Sequence, residues 1–93
     1  MQKRSPWQSY GDGHAANFEA GGVAYLVIVT DAYVNARYRM TADRIVDRGS
    51  LVEEMEDEIA YLAGQKLSRG GVFQPSGRRP PQITLDAKDV PIS

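Results

Sequence analysis

Glu53, Glu54, Glu56, Asp57 and Glu58 crowd into residues 53–58, within "GSLVEEMEDEIAYLAGQKLSRGG". Carboxylates so placed invite cation binding or acid–base chemistry. A hard cation, however, needs several oxygens converging on one point, and on a helix these residues fan around more than a full turn. Glu53 with Asp57 and Glu54 with Glu58 do share faces, where like charges repel and the positive end of the helix dipole offsets them only in part. The spacing therefore predicts a solvated helix face, ahead of a surface for a basic protein partner and well ahead of a metal site. Glu53 is the exception. "SLVE", residues 50–53, reads as a capping box in which Ser50 accepts from the third helical amide and Glu53 reaches back to the amide of Ser50. Glu53 should then support folding, and Glu54, Glu56, Asp57 and Glu58 should be replaceable.

His14 is the single histidine, close to Ser5, Ser9, Tyr10 and Asp12 in a glycine-rich stretch. It has the chemistry of a general base but lacks a rigid constellation around it, and a surface histidine is the expected reading. "YGDGH" and "RGG" hint at anion-cradling loops. The first does not follow a strand and open a helix, and the second closes a helix, so ordinary turns are expected.

Arg37 and Arg39, with Arg78 and Arg79, offer a local basic patch. Read as a strand, "YVNARYRM" turns Arg37 and Arg39 to the wet face and Tyr38 away from them, which breaks the stacking platform that single-stranded nucleic acid requires. Phe73 would have to supply the aromatic surface instead. Eleven Lys and Arg against twelve Asp and Glu give a formal charge of -1, which also weighs against nucleic acid.

Ninety-three residues suit one domain with a thin core, since a chain this short buries roughly two thirds of the surface its unfolded form exposes. Without cysteine there is neither disulfide nor thiolate metal site, and no cofactor site is expected. No apolar run is long enough for a signal-peptide core or a membrane span, so a cytoplasmic protein without membrane contact is expected.

The elements that would position these groups follow from periodicity. Residues 1–17 read as a lightly structured lead-in, with Phe18 starting a short edge strand and Trp7 and Tyr10 folding back on the core. "VAYLVIVT", residues 23–30, is the expected central strand. "YVNARYRM" alternates as its antiparallel partner, with Val34, Ala36, Tyr38 and Met40 on the inner face. Thr41 should cap a short helix through Ile45 and Val46 that Gly49 ends. Ser50 then starts a long helix whose stripe of Leu51, Val52, Met55, Ile59, Leu62, Ala63 and Lys66, with Leu67 near the end, packs on the sheet. Residues 70–81 form a loop, "QITLD" a further strand, and residues 91–93 a tail. The expected fold is a small two-layer α+β domain over residues 18–90, in the order β-β-α-α-β, with a mainly antiparallel sheet of three or four strands.

With that order in hand, the chain resembles a family of small bacterial proteins catalogued as domain of unknown function 1488. The resemblance covers about residues 18–90. It rests on "GGVAYLVIV", "VNARYRMTADRIVDR", "IAYLAGQKLSRGG" and "QITLDAKDV", with a helix-starting polar residue at Thr41, an apolar position at Ile45 and an Ala-x-x-Lys segment at Ala63 to Lys66. It implies a two-layer α+β fold and carries over no catalytic residue. The functional expectation is a non-enzymatic interaction or accessory protein working as a homodimer, with Arg37, Arg39, Arg78, Arg79, Glu54, Asp57 and Glu58 as the interaction surface. The alternative is a nucleic-acid-associated regulator using the four arginines. Catalysis ranks last, because acid, base and nucleophile converge on no segment.

Overall fold

The computed structural model describes residues 1–91. Strands β1 (Gln2–Lys3), β2 (Gln8–Tyr10), β3 (Gly13–Ala20) and β4 (Val23–Thr30) lead into helices α1 (Asp31–Tyr38), α2 (Arg48–Glu54) and α3 (Glu56–Ser68), and β5 (Gln82–Leu85) closes the sheet. The architecture is a two-layer α+β domain with a mixed five-stranded sheet. β1 and β2 share one side of β3, followed by β4 and then β5. All pairs are antiparallel except β4 with β5. The long helix packs on one sheet face, as its apolar stripe requires.

The presumed lead-in instead supplies β1, β2 and most of β3. Gly21 and Gly22, with φ of 58° and 80°, make a two-residue turn of the mirror-image kind that matches strand twist, and it pairs all of β3 with β4. Ala16 and Phe18 alternate toward the core from β3, so Phe18 lies inside the sheet and is fully buried. Gly11 and Asp12 form the turn of "YGDGH" between β2 and β3. The adjoining Gly13 is required for contact reasons, because a Cβ there would sit 2.3 Å from the Val29 carbonyl oxygen. Trp7 does fold onto the core, its ring centroid 5.7 Å from that of Phe18.

Val23–Thr30 is the central strand expected, but its successor is a helix. Thr30 accepts from the amide of Tyr33 at 3.1 Å and Asp31 occupies the first turn, so α1 starts directly at the strand end. The alternation of residues 33–40 was compatible with either period. Helical spacing buries Tyr33 and Val34 together, and the chain must cross over to bring β5 parallel to β4. Arg39 ends α1 in the left-handed conformation, φ 55°.

No helix follows Thr41. Its carbonyl accepts from Arg44 in a turn, and Ile45 is 99% exposed. The next helix starts at Arg48, two residues before Ser50, because Asp47 is the cap: its carboxylate accepts from the Ser50 amide at 3.3 Å and the Ser50 hydroxyl at 2.8 Å. Ser50 thus donates to a cap instead of being one, and Glu53 is exposed. Gly49 lies inside α2 instead of ending a helix, and a Cβ there would come within 3.2 Å of both Asp47 and His14. Met55 leaves helical geometry and divides the expected single helix into α2 and α3, yet Val52, Met55, Ile59 and Ala63 all reach one core. α3 ends as "SRGG" implies, with Gly70 at φ 74° and the Gly71 amide bonded to the Lys66 carbonyl at 2.7 Å.

After β5 the chain does not fray at once. A 3-10 turn, Ala87–Asp89, is closed by reciprocal bonds between Asp86 and Asp89. Of the expected tail at 91–93, residues 92–93 lie outside the described residues.

The Asp47 carboxyl sits below its ordinary value, chiefly because of its hydrogen bond from the Ser50 side chain. A depressed folded pKa means that this cap stabilises above the unfolded value and is lost as pH falls through the folded one. Asp47→Ala should therefore lower the melting midpoint at neutral pH, Glu53→Ala should leave it in place, and the Asp47→Ala deficit should shrink in acid, all readable by circular dichroism melts.

Candidate functional site

Of the acidic cluster, one member is drawn inward. The buried Tyr33 hydroxyl of α1 donates to Glu58 Oε2 at 2.6 Å, and Arg37 Nε, one turn on, lies 3.1 Å from each carboxylate oxygen. Glu58 of α3 is half-buried and clamps α1 against α3. Burial foremost, then the bond to Glu58, holds the Tyr33 phenol well above its ordinary range, and the same carboxylate raises Arg37. The expectation that Glu58 is a replaceable surface residue is thus corrected. Sequence spacing missed it because its partners lie on another helix.

The other candidates separate. Glu53, Glu54 and Asp57 are exposed, while Glu56 forms an ion pair with Lys3 of β1 at 3.6 Å. Among the described residues, no group of three or more metal-ligating side chains converges. Arg37 lies on a helix instead of a wet strand face, and Arg39 is the exposed C-cap of that helix. Arg78 and Arg79 are exposed on the loop entering β5, whereas α1 leaves β4. The two arginine pairs therefore belong to segments attached at opposite ends of the parallel strands. Charge separation across the molecule is reduced, since Arg37 and Glu58 neutralise each other.

His14 is half-buried, which corrects the surface reading. It packs against Gly49 at the start of α2, and its buried Nδ1 has no hydrogen-bond partner among the described residues. Its sequence neighbours serve the fold elsewhere: Ser5 Oγ accepts from the Asn17 amide at 2.9 Å, and the Asp12 carbonyl accepts from Asp31 at 2.8 Å. Lys66 is similarly engaged, donating to the Thr84 carbonyl at 2.7 Å and to Asp89 at 2.9 Å.

A different surface emerges from the register. Phe18, Val27, Val29, Ile83 and Leu85 face the helices, so their strand neighbours face away. Ala15 lies opposite Ile28, Asn17 opposite Leu26, and Gln82 and Thr84 opposite Leu26 and Ile28. Gln8 joins them from β2, and Phe73, bridged to Gln82, extends the face past β5. Tyr10 belongs to it as well, with Gln82 Nε2 3.5 Å from its hydroxyl, and so covers the sheet on the side away from the main core. No helix of the described residues packs here. Tyr10 and Phe73 remain 42% and 56% exposed. No family model, curated protein or solved structure matches the chain.

Removing the Glu58 carboxylate strands a buried hydroxyl. Glu58→Ala should cost about 1–3 kcal/mol in denaturant unfolding, while Glu58→Gln, which keeps an acceptor for Tyr33, should cost less. The raised Tyr33 pKa stabilises the fold below the ordinary phenol value, and that contribution is lost as pH climbs from there toward the folded value. Tyr33→Phe should therefore blunt alkaline destabilisation above pH 10.0 in equilibrium melts.

Proposed function

We propose that the chain is a non-enzymatic interaction protein that works as a homodimer through the helix-free face of its sheet. The observation that carries this reading is the composition of that face. Gln8, Tyr10, Asn17, Leu26, Phe73, Gln82 and Thr84 bring aromatic, apolar and neutral polar groups over the buried Ala15 and Ile28, and the charged Arg4 and Glu19 at its β1 end pair with each other at 2.8 Å. Depletion of charge together with exposed Tyr and Phe is the composition of interface cores. A neutral face is matched by another neutral face, and a second copy about a two-fold axis always supplies one.

Shape supports the same occupant. Phe73 projects beside β5, while a hollow of about 140 Å³ beside β2 is lined by residues that include Pro6, Tyr10, Asn17 and Leu26. A two-fold axis near the middle of the face would direct each Phe73 toward the hollow of the partner. Edge-to-edge pairing is disfavoured. The β1/β2 edge is interrupted around Pro6, and β5 is partly occupied by Phe73 and by Lys66 bonding to Thr84.

Glu58 and Lys66 already hold structural bonds, which favours interaction over catalysis. The regulator alternative, with Arg37, Arg39, Arg78 and Arg79 on nucleic acid, is weakened by the neutralisation of Arg37 by Glu58.

Light scattering coupled to size exclusion should find a dimer that persists in high salt. Asn17→Arg and Thr84→Arg, both at exposed positions on the face, should each give a monomer with unchanged circular dichroism. A strict monomer at high protein concentration would refute the homodimer, and a dimer dissolved by salt would move the contact to the charged surfaces.

A further inference from the structure

Between α3 and the segment after β5 lies a cleft of about 470 Å³, within the size range of small-molecule pockets. Leu62, Leu85 and Pro91 give it apolar lining, and the exposed ring of Tyr61 stands beside them. Its charges do not cancel. Glu58 is answered by Arg37 at 3.1 Å and Asp89 by Lys66 at 2.9 Å, both across direct ion pairs. Arg69 and Lys88 also line the cleft, and neither has an acidic side chain within ion-pair distance among the described residues.

Two uncompensated cations above an apolar lining suit a ligand that is itself amphipathic. The guanidinium of Arg69 offers forked donors for a planar or tetrahedral oxyanion, and Lys88 adds a flexible point charge. Leu85 ends β5, so the cleft opens where the parallel strands exit, the end at which open sheets with helical crossovers place ligands. We propose that this cleft binds a small organic anion, with a carboxylate or phosphate held by Arg69 and Lys88 and an apolar body resting on Leu62 and Pro91. The site is separate from the helix-free sheet face and does not depend on dimerisation.

The test is a titration of the ¹⁵N-labelled full chain with phenyl phosphate, followed through backbone amide shifts. Inorganic phosphate and phenol, which each carry half of the required chemistry, serve as comparisons. Saturable shifts at Gln65, Arg69 and Lys88 are expected for phenyl phosphate, with markedly weaker binding of phosphate and none of phenol. The double variant Arg69→Gln with Lys88→Gln should keep a folded spectrum and weaken phenyl phosphate binding by about tenfold or more, as loss of charge-assisted contacts implies. Equal binding of phosphate and phenyl phosphate, an unaffected double variant, or shifts that never saturate would each overturn the proposal.

Discussion

The parallel pairing of β5 with β4 is the constraint from which most of the molecule follows. Antiparallel neighbours can be joined by two residues, as Gly21–Gly22 joins β3 to β4, but parallel neighbours need a crossover that returns the chain to its starting end. Here that crossover contains α1, α2 and α3, and their buried residues enter one cluster with those of the sheet. One sheet face is therefore covered by helices and the other is not. Thr30 ties the two strand exits together, accepting from the Tyr33 amide and facing the Asp86 carboxylate at 3.0 Å.

The crossover also explains why Glu58 differs from its acidic neighbours. Helical spacing distributes Glu53, Glu54, Glu56, Asp57 and Glu58 around the axis, so only some can turn toward α1. Glu58 meets a hydroxyl whose ring is buried, and a buried hydroxyl without an acceptor is costly. Arg37 then balances the carboxylate at the solvent side, where an ion pair is worth little by itself. Most of the value of Glu58 thus lies in satisfying Tyr33, while the arginine lessens the cost of holding a charge there.

The two surfaces proposed for binding have opposite chemistry. The helix-free face presents aromatic rings around apolar residues and pairs its Arg4 with its Glu19, which suits a partner without net charge. The cleft beside α3 is apolar at its lining and cationic at Arg69 and Lys88, which suits a small anion. Of the cations most visible in the sequence, Arg37, Arg39, Arg78 and Arg79, none lines the cleft.

By itself the sequence determined the elements whose signals are local. The apolar run of β4, the stripe of α3, its "SRGG" stop and the alternating Ile83 and Leu85 of β5 each carry their own period or breaker, and together they imply a two-layer α+β fold. The β3–β4 hairpin was also legible, in Gly21–Gly22 following the alternation of Ala16 and Phe18, but polar composition masked it. Tertiary structure decided the rest. Residues 33–40 satisfy period two and helical spacing alike, and the need for a crossover selects the helix. Asp47 displaces Ser50 as cap because a carboxylate there can accept from both the amide and the hydroxyl of Ser50. Glu58 is singled out by Tyr33, 25 positions away, and Arg69 and Lys88 are brought together by the packing of α3 beside the chain leaving β5. Period and capping act over a few residues and leave a local trace, whereas these contacts depend on which surfaces meet once the sheet has closed.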